Sequence, residues 1–454
     1  MILGRVCFVM PGSVGDSITL AISGATIPTS KLSAYGEAEF GELIEDIRDA
    51  DASLLNLEML FHEYEGNPAP RTGTYMRAPP WVIDELTWAG FDIFSSAHNH
   101  VGDYLYGGMR ATMDELETRG LPYAGMGRSL ADAREPAYVD TPAGRVGVVA
   151  ASNAYSPAEA AAHRRGEVPG RPGLSPLGLE TTYRAPADEL ERLRELSAAL
   201  GLEDQKEYSI DTYSAARGED IERFRLLNVG ADVDLTFEAA EEHGIVREVN
   251  EPDREAIVRG IREADRQADW VIASLHTHAG KGAYSLHHST PSFIETFAHA
   301  CVDAGADAFI GHGPHCIRGI ELYDDAPIFY SVGSFIQETE NITRQPQKVY
   351  DIFDLGPEAT PAEVYDTRAE SGYMDEAVYW ECVFPVCEYE NGTISAIELT
   401  PLELGFEMGR PRRGRPRRAE GDEADRILRQ VKERSEPYDI DVRIEDDSGY
   451  IDIT

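Results

Sequence analysis

The sequence predicts an α/β fold, and three observations carry that prediction. One short phrase recurs four times: an Asp close to Ala or Gly follows a helical pattern, four to six mostly apolar residues follow, and then come side chains of the kind that bind metals or anions. The segments ahead of these runs place apolar residues at helical spacing. The runs are too short for helices, and short apolar runs after helices are the mark of buried strands in an α/β sheet.

In chain order, the first run is DADASLLNLE (49–58), and the helix before it places Phe40, Leu43, Ile44 and Ile47 at i, i+3, i+4 and i+7. AGFDIFSSAHNH (89–100) is the second, and residues 145–152 give a further strand. Between about 153 and 266 the texture changes to GRPGLSPL (170–177), a charged helix from about Ala187 to Leu200 and a polar helical stretch, which predicts an insertion or cap. QADWVIASLHTH (267–278) resumes the pattern; Phe293, Ile294, Phe297 and Cys301 mark the helix before AGADAFIGHGPH (304–315), and residues 327–332 add a strand. After Gln337 a polar connection runs to about Gly372, followed by strand-like YWECVFPVCEYENGTISAIEL, the run GRPRRGRPRR, a helix near 423–435 and an acidic tail. The predicted organisation is one α/β domain over 1–341 with its cap at 153–266, and an α+β extension over 342–454 packed on the core. A TIM barrel also gathers histidines at strand ends, but the clear βα units fall short of eight.

Charge narrows the function classes. The 454 residues hold 81 acidic and 41 basic side chains, a net charge of −40. Such a surface repels DNA, RNA and anionic lipid, which argues against a nucleic-acid partner. Only five basic residues are Lys (31, 206, 281, 348, 432), so 36 are Arg. An acidic surface nearly free of Lys suits multimolar salt, where the Debye length falls to about 3 Å or less; an acidic protein of ordinary salt is the alternative. No run approaches the roughly 18 apolar residues of a membrane span. The start, MILGRVCFVMPGSVGDS, is at best a weak secretory signal, broken by Pro11 and Gly12. Five cysteines (7, 301, 316, 382, 387) without Cys-x-x-Cys spacing suggest free thiols in a reducing compartment. The expected location is cytoplasmic, with cell-surface or extracellular association and a homo-oligomer left open.

The chemistry sits at the strand ends. Asn56, Glu58, Asn99, His100, His276, His312 and His315 each lie just beyond a predicted strand, at the edge where α/β proteins collect functional groups. Histidines are scarce, 12 in all, yet His98 with His100, His276 with His278, and His312 with His315 form tight clusters. Any one of them could cap a strand or pack in the core. Jointly, with carboxylate and amide oxygen, they suit Zn, Mn, Fe or Ni better than Ca or Mg. Such a centre polarises a phosphoryl or carbonyl oxygen and activates water. In the Asn99-His100 pair, the amide oxygen can ligate while the imidazole serves as general acid. Asp103 can orient His100, or equally cap the next helix. Arg77 in GTYMRAPP and Arg171 in GRPGLSPL are candidate anion clamps, though either could simply pair with a surface carboxylate. Arg410, Arg412, Arg413, Arg415, Arg417 and Arg418 could hold a polyanion, but in so acidic a chain an intramolecular or intersubunit dock is the better reading.

These residues resemble the CapA capsule-synthesis family, also called poly-gamma-glutamate biosynthesis proteins, which is similar to the calcineurin-like metallophosphoesterases. The matching stretches are ADASLLNLE, AGFDIFSSAHNHVGDY, YAGMGRSLADA, GRPGLSPL, VIASLH, DAGADAFIGHGPH and PIFYSVGSF, spread over roughly 18–340. The resemblance implies a four-layer α-β-β-α sandwich with a divalent transition metal, one or two ions of Mn, Zn, Fe or Co, between the sheet edges. By position it implies that Glu58 bridges or ligates, Asn99 ligates, His100 donates a proton, and His276, His312 and His315 complete the ligand set. Asn56, His278, Arg77 and Arg171 are expected on the substrate side.

Two departures stand out. The family's first strand ends in Gly-Asp, whose Asp ligates metal; here Ala25 follows Gly24, and using Asp16 instead would misplace the strand. Ser334 stands where the family carries Asn near a final Gly-Asn-Phe. Losing a carboxylate removes one ligand and one negative charge, so a single or weakened metal site is expected. Two functions are compatible with this: a metal-dependent hydrolase acting on a phosphoester or amide of an anionic small molecule or polymer, or a degenerate, non-catalytic relative that binds or assembles a polymer. An anionic substrate would be repelled at long range by the −40 charge, so activity is expected to rise with salt.

Overall fold

The computed structural model describes residues 17–71, 73–213, 222–229, 233–280, 288–369 and 373–453. The N-terminal segment read as a weak signal, with Cys7 and Asp16, lies outside them. The chain is an α/β protein that divides into two compact units, one comprising Met1–Pro176, Glu255–Lys281 and Leu286–Thr454, the other centred on Leu177–Arg254.

The first unit is built on two sheets, one of ten strands and one of six. In the larger, the strand Ser17–Ile27 is central: it runs parallel to Ala52–Leu57, which in turn runs parallel to Ile93–Ser95. Its two faces bury different residues, as a strand's period of two requires. Ile18, Leu20, Ile22 and Leu54 enter one apolar cluster; Ala21, Ile27, Leu55 and Leu57 enter another, with Phe40, Leu43, Ile44 and Ile47 of the helix Ala38–Asp49 and Val82, Ile83 and Leu86 of the helix Val82–Ala89. In the six-stranded sheet, Gly144–Ser152, Trp270–His276 and Ala308–His312 are parallel neighbours. Val146, Val148, Ala150, Ile272 and Ile310 share the first cluster with Ile18, Leu20 and Ile22, so the two sheets have one core between them. Next to the strand ends, Ser95 Oγ and Ser274 Oγ hydrogen-bond across the sheets at 2.8 Å. The helix Ser292–Val302 meets the smaller sheet through Phe297, whose ring lies 6.2 Å from that of Phe309.

Two segments join the first unit through strand pairing. Within the stretch of about 153–266, expected as an insertion or cap, the second unit begins at Leu177, and residues up to Pro176 cluster with the first. The cause is pairing in the GRPGLSPL segment, where Gly173–Leu174 bonds antiparallel to Met126–Gly127 and Pro176 bridges to Ser152. Within residues 342–454, expected as an extension packed on the core, strands join the larger sheet. Glu381–Glu390 pairs antiparallel with the first half of Ser17–Ile27 and forms a hairpin with Thr393–Glu403. That hairpin turns at Asn391-Gly392, both at positive φ (54° and 82°), which suits Asn-Gly.

The arginine run docks within its own unit. Arg410 pairs with Asp366, Arg412 with Glu37, Arg413 with Glu340, Arg415 with Glu338, Arg417 with Glu403 and Arg418 with Asp46. The second unit has a four-stranded sheet, ordered Arg223–Asn228, Val233–Ala239, Leu179–Ala185 and Gly244–Val249, with the helices Ala187–Ala199 and Leu202–Tyr213. No described helix is long and apolar enough to cross a membrane.

Candidate metal centre

The parallel strands of both sheets end where the ligand-type residues begin. Glu58 follows the strand Ala52–Leu57, tied back by its N–H to the Thr26 carbonyl at 3.1 Å, and is fully buried. His276 is the last residue of its strand and stands in register with His312, the last of the next. Ser152 Oγ and the Asn153 N–H both donate to the His276 carbonyl at 3.1 Å, which pins its backbone. His315 lies in the following turn at φ 56°, a left-handed conformation that a non-glycine residue adopts at a cost of about 1–3 kcal/mol. Its ring is fixed by a 2.9 Å bond between Nδ1 and Ser334 Oγ. Gly313, at φ 102°, must be glycine: a Cβ there would stand 2.6 Å from the Thr277 carbonyl oxygen and 3.1 Å from His276 Nε2.

Three imidazoles face one carboxylate. His276 Nε2 and His315 Nε2 are each 3.7 Å from Glu58 Oε1, and His100 Nε2 is 4.0 Å away. These separations are too long for hydrogen bonds. They match the roughly 3–4 Å between atoms that share one ion at about 2.0–2.2 Å. His278 Nε2 lies 3.4 Å from His276 Nε2, and ligand atoms of Glu58, His276 and His278 all lie within 4.8 Å of one another. Among the described residues, buried polar atoms at this edge lack hydrogen-bond partners: both Glu58 carboxylate oxygens, Asn56 Oδ1, Asn99 Oδ1, His98 Nε2, His276 Nδ1 and both ring nitrogens of His312. Buried polar atoms in native proteins are almost always satisfied. A cation accepts lone pairs from oxygens and neutral imidazoles together, so the residues present fit a divalent transition metal.

Electrostatics agree. Burial pushes Glu58 well above the usual carboxylate range, with the Asp103 charge adding to it. Burial holds His276, His98 and His100 well below the ordinary imidazole value and brings His312 down to about 3. Neutral imidazoles are the ligating form.

His100 is held from behind. Its Nδ1 lies 2.8 Å from Asp103 Oδ2, which turns Nε2 toward Glu58. Burial raises Asp103 to about 7, against the lowering effect of Arg71 and the Met76 N–H. Arg71 pairs with Asp103 Oδ1, and its Nη1 donates to the Asn99 carbonyl at 2.8 Å. A cavity of about 310 Å³ opens beside Arg71 and Asn99, walled by Leu105, Tyr106, Tyr155 and Glu159.

Thus Glu58, His100, His276, His278 and His315 come together, with Asp103 behind His100. Asn99 and His312 add atoms at the same strand ends that have no hydrogen-bond partner among the described residues. Asn56 stands in register with Ala25 and Ser95. Ala25 is fully buried between Asn56 and Ser334, at the end of the first strand, so the missing carboxylate is a feature of this edge. The two expected clamps have protein partners. Arg77 donates to the His62 carbonyl at 2.6 Å and pairs with Glu63, and Arg171 donates to the Ala160 carbonyl at 2.8 Å. His278, expected on the substrate side, sits with Glu58 and His276. Arg71 escaped sequence reasoning because its partner Asp103 is 32 residues away. His98, whose Nδ1 accepts the His100 N–H at 3.2 Å, had its signal in the AHNH cluster.

Comparison with known proteins identifies the family. Residues 13–339 match the family model described as bacterial capsule synthesis protein PGA_cap. The chain is similar to the uncharacterized protein y4sH of Sinorhizobium fredii, 32% identical over 453 residues, which covers 97% of this chain and 94% of that one. It is similar to the PGA biosynthesis protein CapA of Bacillus subtilis, 36% identical over 84 residues, covering 18% and 21%. A third relative is the capsule biosynthesis protein CapA of Bacillus anthracis, 40% identical over 70 residues, covering 15% and 16%.

Proposed function

Because the chain belongs to the bacterial capsule synthesis family PGA_cap, we propose that it acts in the metabolism of poly-gamma-glutamate or a similar anionic capsule polymer, as a metal-dependent hydrolase of a phosphoester or amide. One observation carries the catalytic part: a fully buried carboxylate, Glu58, has three imidazole nitrogens within 4.0 Å, yet neither of its oxygens has a hydrogen-bond partner among the described residues. The reading takes the two sheets and the helices outside them as a four-layer α-β-β-α sandwich, with this centre between the sheet edges.

Glu58, His276, His278, His312, His315 and Asn99 would hold the metal, which when bound supplies charge to polarise a phosphoryl or carbonyl oxygen and to activate water. The chain's own groups handle protons. His100, neutral at rest and held through Nδ1 by Asp103, accepts a proton at Nε2 and passes it to the departing oxygen or nitrogen. Glu58 would contribute negative charge once a bound cation displaces its proton, while Ser334 and Asp103 keep His315 and His100 in one orientation.

A second reading, a non-catalytic polymer-binding or assembly protein, is favoured by Ala25, which offers a methyl group where the family's first strand ends in a ligating Asp. The test is Mn- or Co-stimulated hydrolysis of aryl phosphodiesters and gamma-glutamyl peptides in multimolar KCl, for the wild type, His276→Ala and Ala25→Asp. Activity in the wild type that is lost in His276→Ala supports the hydrolase. Activity only in Ala25→Asp supports the degenerate relative.

A further inference from the structure

We propose that Arg71 is a positioning residue of the His100 site, a guanidinium that ties the carboxylate orienting the imidazole to the backbone that carries Asn99. One nitrogen makes both contacts: Nη1 donates to the Asn99 carbonyl at 2.8 Å and to Asp103 Oδ1. Asp103 then has each oxygen committed, Oδ1 to Arg71 and Oδ2 to His100 Nδ1 at 2.8 Å and to the Met76 N–H at 2.6 Å. The segment around Arg71 closes on the same residue again, since the Ala69 N–H donates to the Asp103 carbonyl at 2.9 Å.

Geometry explains why an arginine is needed there. The Asn99 carbonyl and Asp103 Oδ1 belong to one tight turn, and a single planar NH2 group offers two hydrogens in fixed directions to bridge them. Asp103 is fully buried, so its hold on His100 depends on the partners that fix its two oxygens. With Arg71 gone, Asp103 keeps Met76 and His100 but loses the contact that fixes its rotation. The imidazole would then no longer be confined to the tautomer with its proton on Nδ1. Groups of this kind, behind a working side chain, typically cost ten- to a hundredfold when removed. Arg71 also borders the 310 Å³ cavity beside Asn99, so a substrate-clamp role is the competing account that the experiment must separate.

The kinetic arm rests on the hydrolase reading; the spectroscopic arm does not. In the chelator-treated full chain labelled with 15N-histidine, with His100→Gln to assign the signal, we expect a single His100 tautomer protonated on Nδ1. Arg71→Met should give a mixture of tautomers, and Arg71→Lys should restore the wild-type pattern at least in part. Arg71→Gln, uncharged and too short to span both oxygens, takes the place of Arg71→Met if that variant does not fold, with the same expectation. On an aryl phosphodiester, Arg71→Met should lower kcat about ten- to a hundredfold while KM changes less than about twofold. A wild-type His100 signal in the Met or Gln variant, or a raised KM with unchanged kcat, would overturn the proposal. A wild type without metal-dependent hydrolysis overturns the hydrolase reading alone, and the tautomer result then decides for Arg71.

Discussion

Ala25 marks the sharpest question at the residue scale. It lies in register with Asn56 and Ser334, and Ser334 holds His315, so a carboxylate introduced at Ala25 enters a built environment. Residues that merely support ligands are worth ten- to a hundredfold in metal affinity. Ala25→Asp should therefore tighten binding of Mn or Zn by about tenfold or more, measured by calorimetry, and an unchanged affinity would show that this position does not face the metal. Conversely, His312→Ala should weaken metal binding by at least about tenfold, since both of its buried ring nitrogens lack hydrogen-bond partners among the described residues; unaltered affinity would return His312 to a packing role. Much of this set was legible in the sequence. Glu58, His276 and His315 were found because each comes just after a short apolar run, and a strand end aims the next side chains at a common edge. Arg71 was hidden, because the contact joining it to Asp103 depends on a turn that no periodicity encodes. The partners of Arg77 and Arg171 were equally hidden: an arginine in an acidic chain finds a near acceptor, here the His62 carbonyl with Glu63, and the Ala160 carbonyl.

At the scale of the element, strands were easier to read than their partners. The runs at 49–58, 89–100, 267–278 and 304–315 each hold one, because buried parallel strands are short and uniformly apolar. That the C-terminal hairpin would join the sheet of the first strand was not legible, since register between segments some 360 residues apart leaves no local pattern. Two elements carry tests. The first strand approaches the Val332–Ser334 turn so closely that a Cβ on Gly24 would lie 2.1 Å from the Gly333 carbonyl oxygen. Gly24→Ala should cost about 1–3 kcal/mol or more in urea unfolding at high salt, and a neutral result would mean that this approach is looser. Asp307, beside the strand Ala308–His312, accepts the Val271 N–H at 2.7 Å, yet burial pushes its carboxyl up to about 7. A carboxyl raised on folding takes up a proton. Its contribution is present below pH 4 and lost as pH rises through about 7. The fall in thermal stability from pH 5 to pH 8 should accordingly be smaller in Asp307→Asn than in the wild type, and equal slopes would refute the assignment.

At the scale of the whole molecule the −40 charge governs the setting of the chemistry. The arginine run, the densest positive stretch of the chain, is spent on ion pairs with Asp46, Asp366 and four glutamates, which leaves the net negative field in place. Melting temperature should therefore rise between about 0.1 and 3 M KCl, as the Debye length falls from about 10 Å to below 3 Å. A protein most stable in dilute buffer would contradict the reading of a high-salt surface. The cluster at the strand ends is buried beneath that surface, and the central claim is that it holds a divalent metal. The most direct test is the metal content of the full chain after equilibration with Mn or Zn in multimolar KCl, compared between the wild type and His276→Ala. We predict one or two tightly held ions per wild-type chain and at least about tenfold weaker retention in the variant; a wild type that retains no metal, or a variant that retains it equally well, would contradict the account.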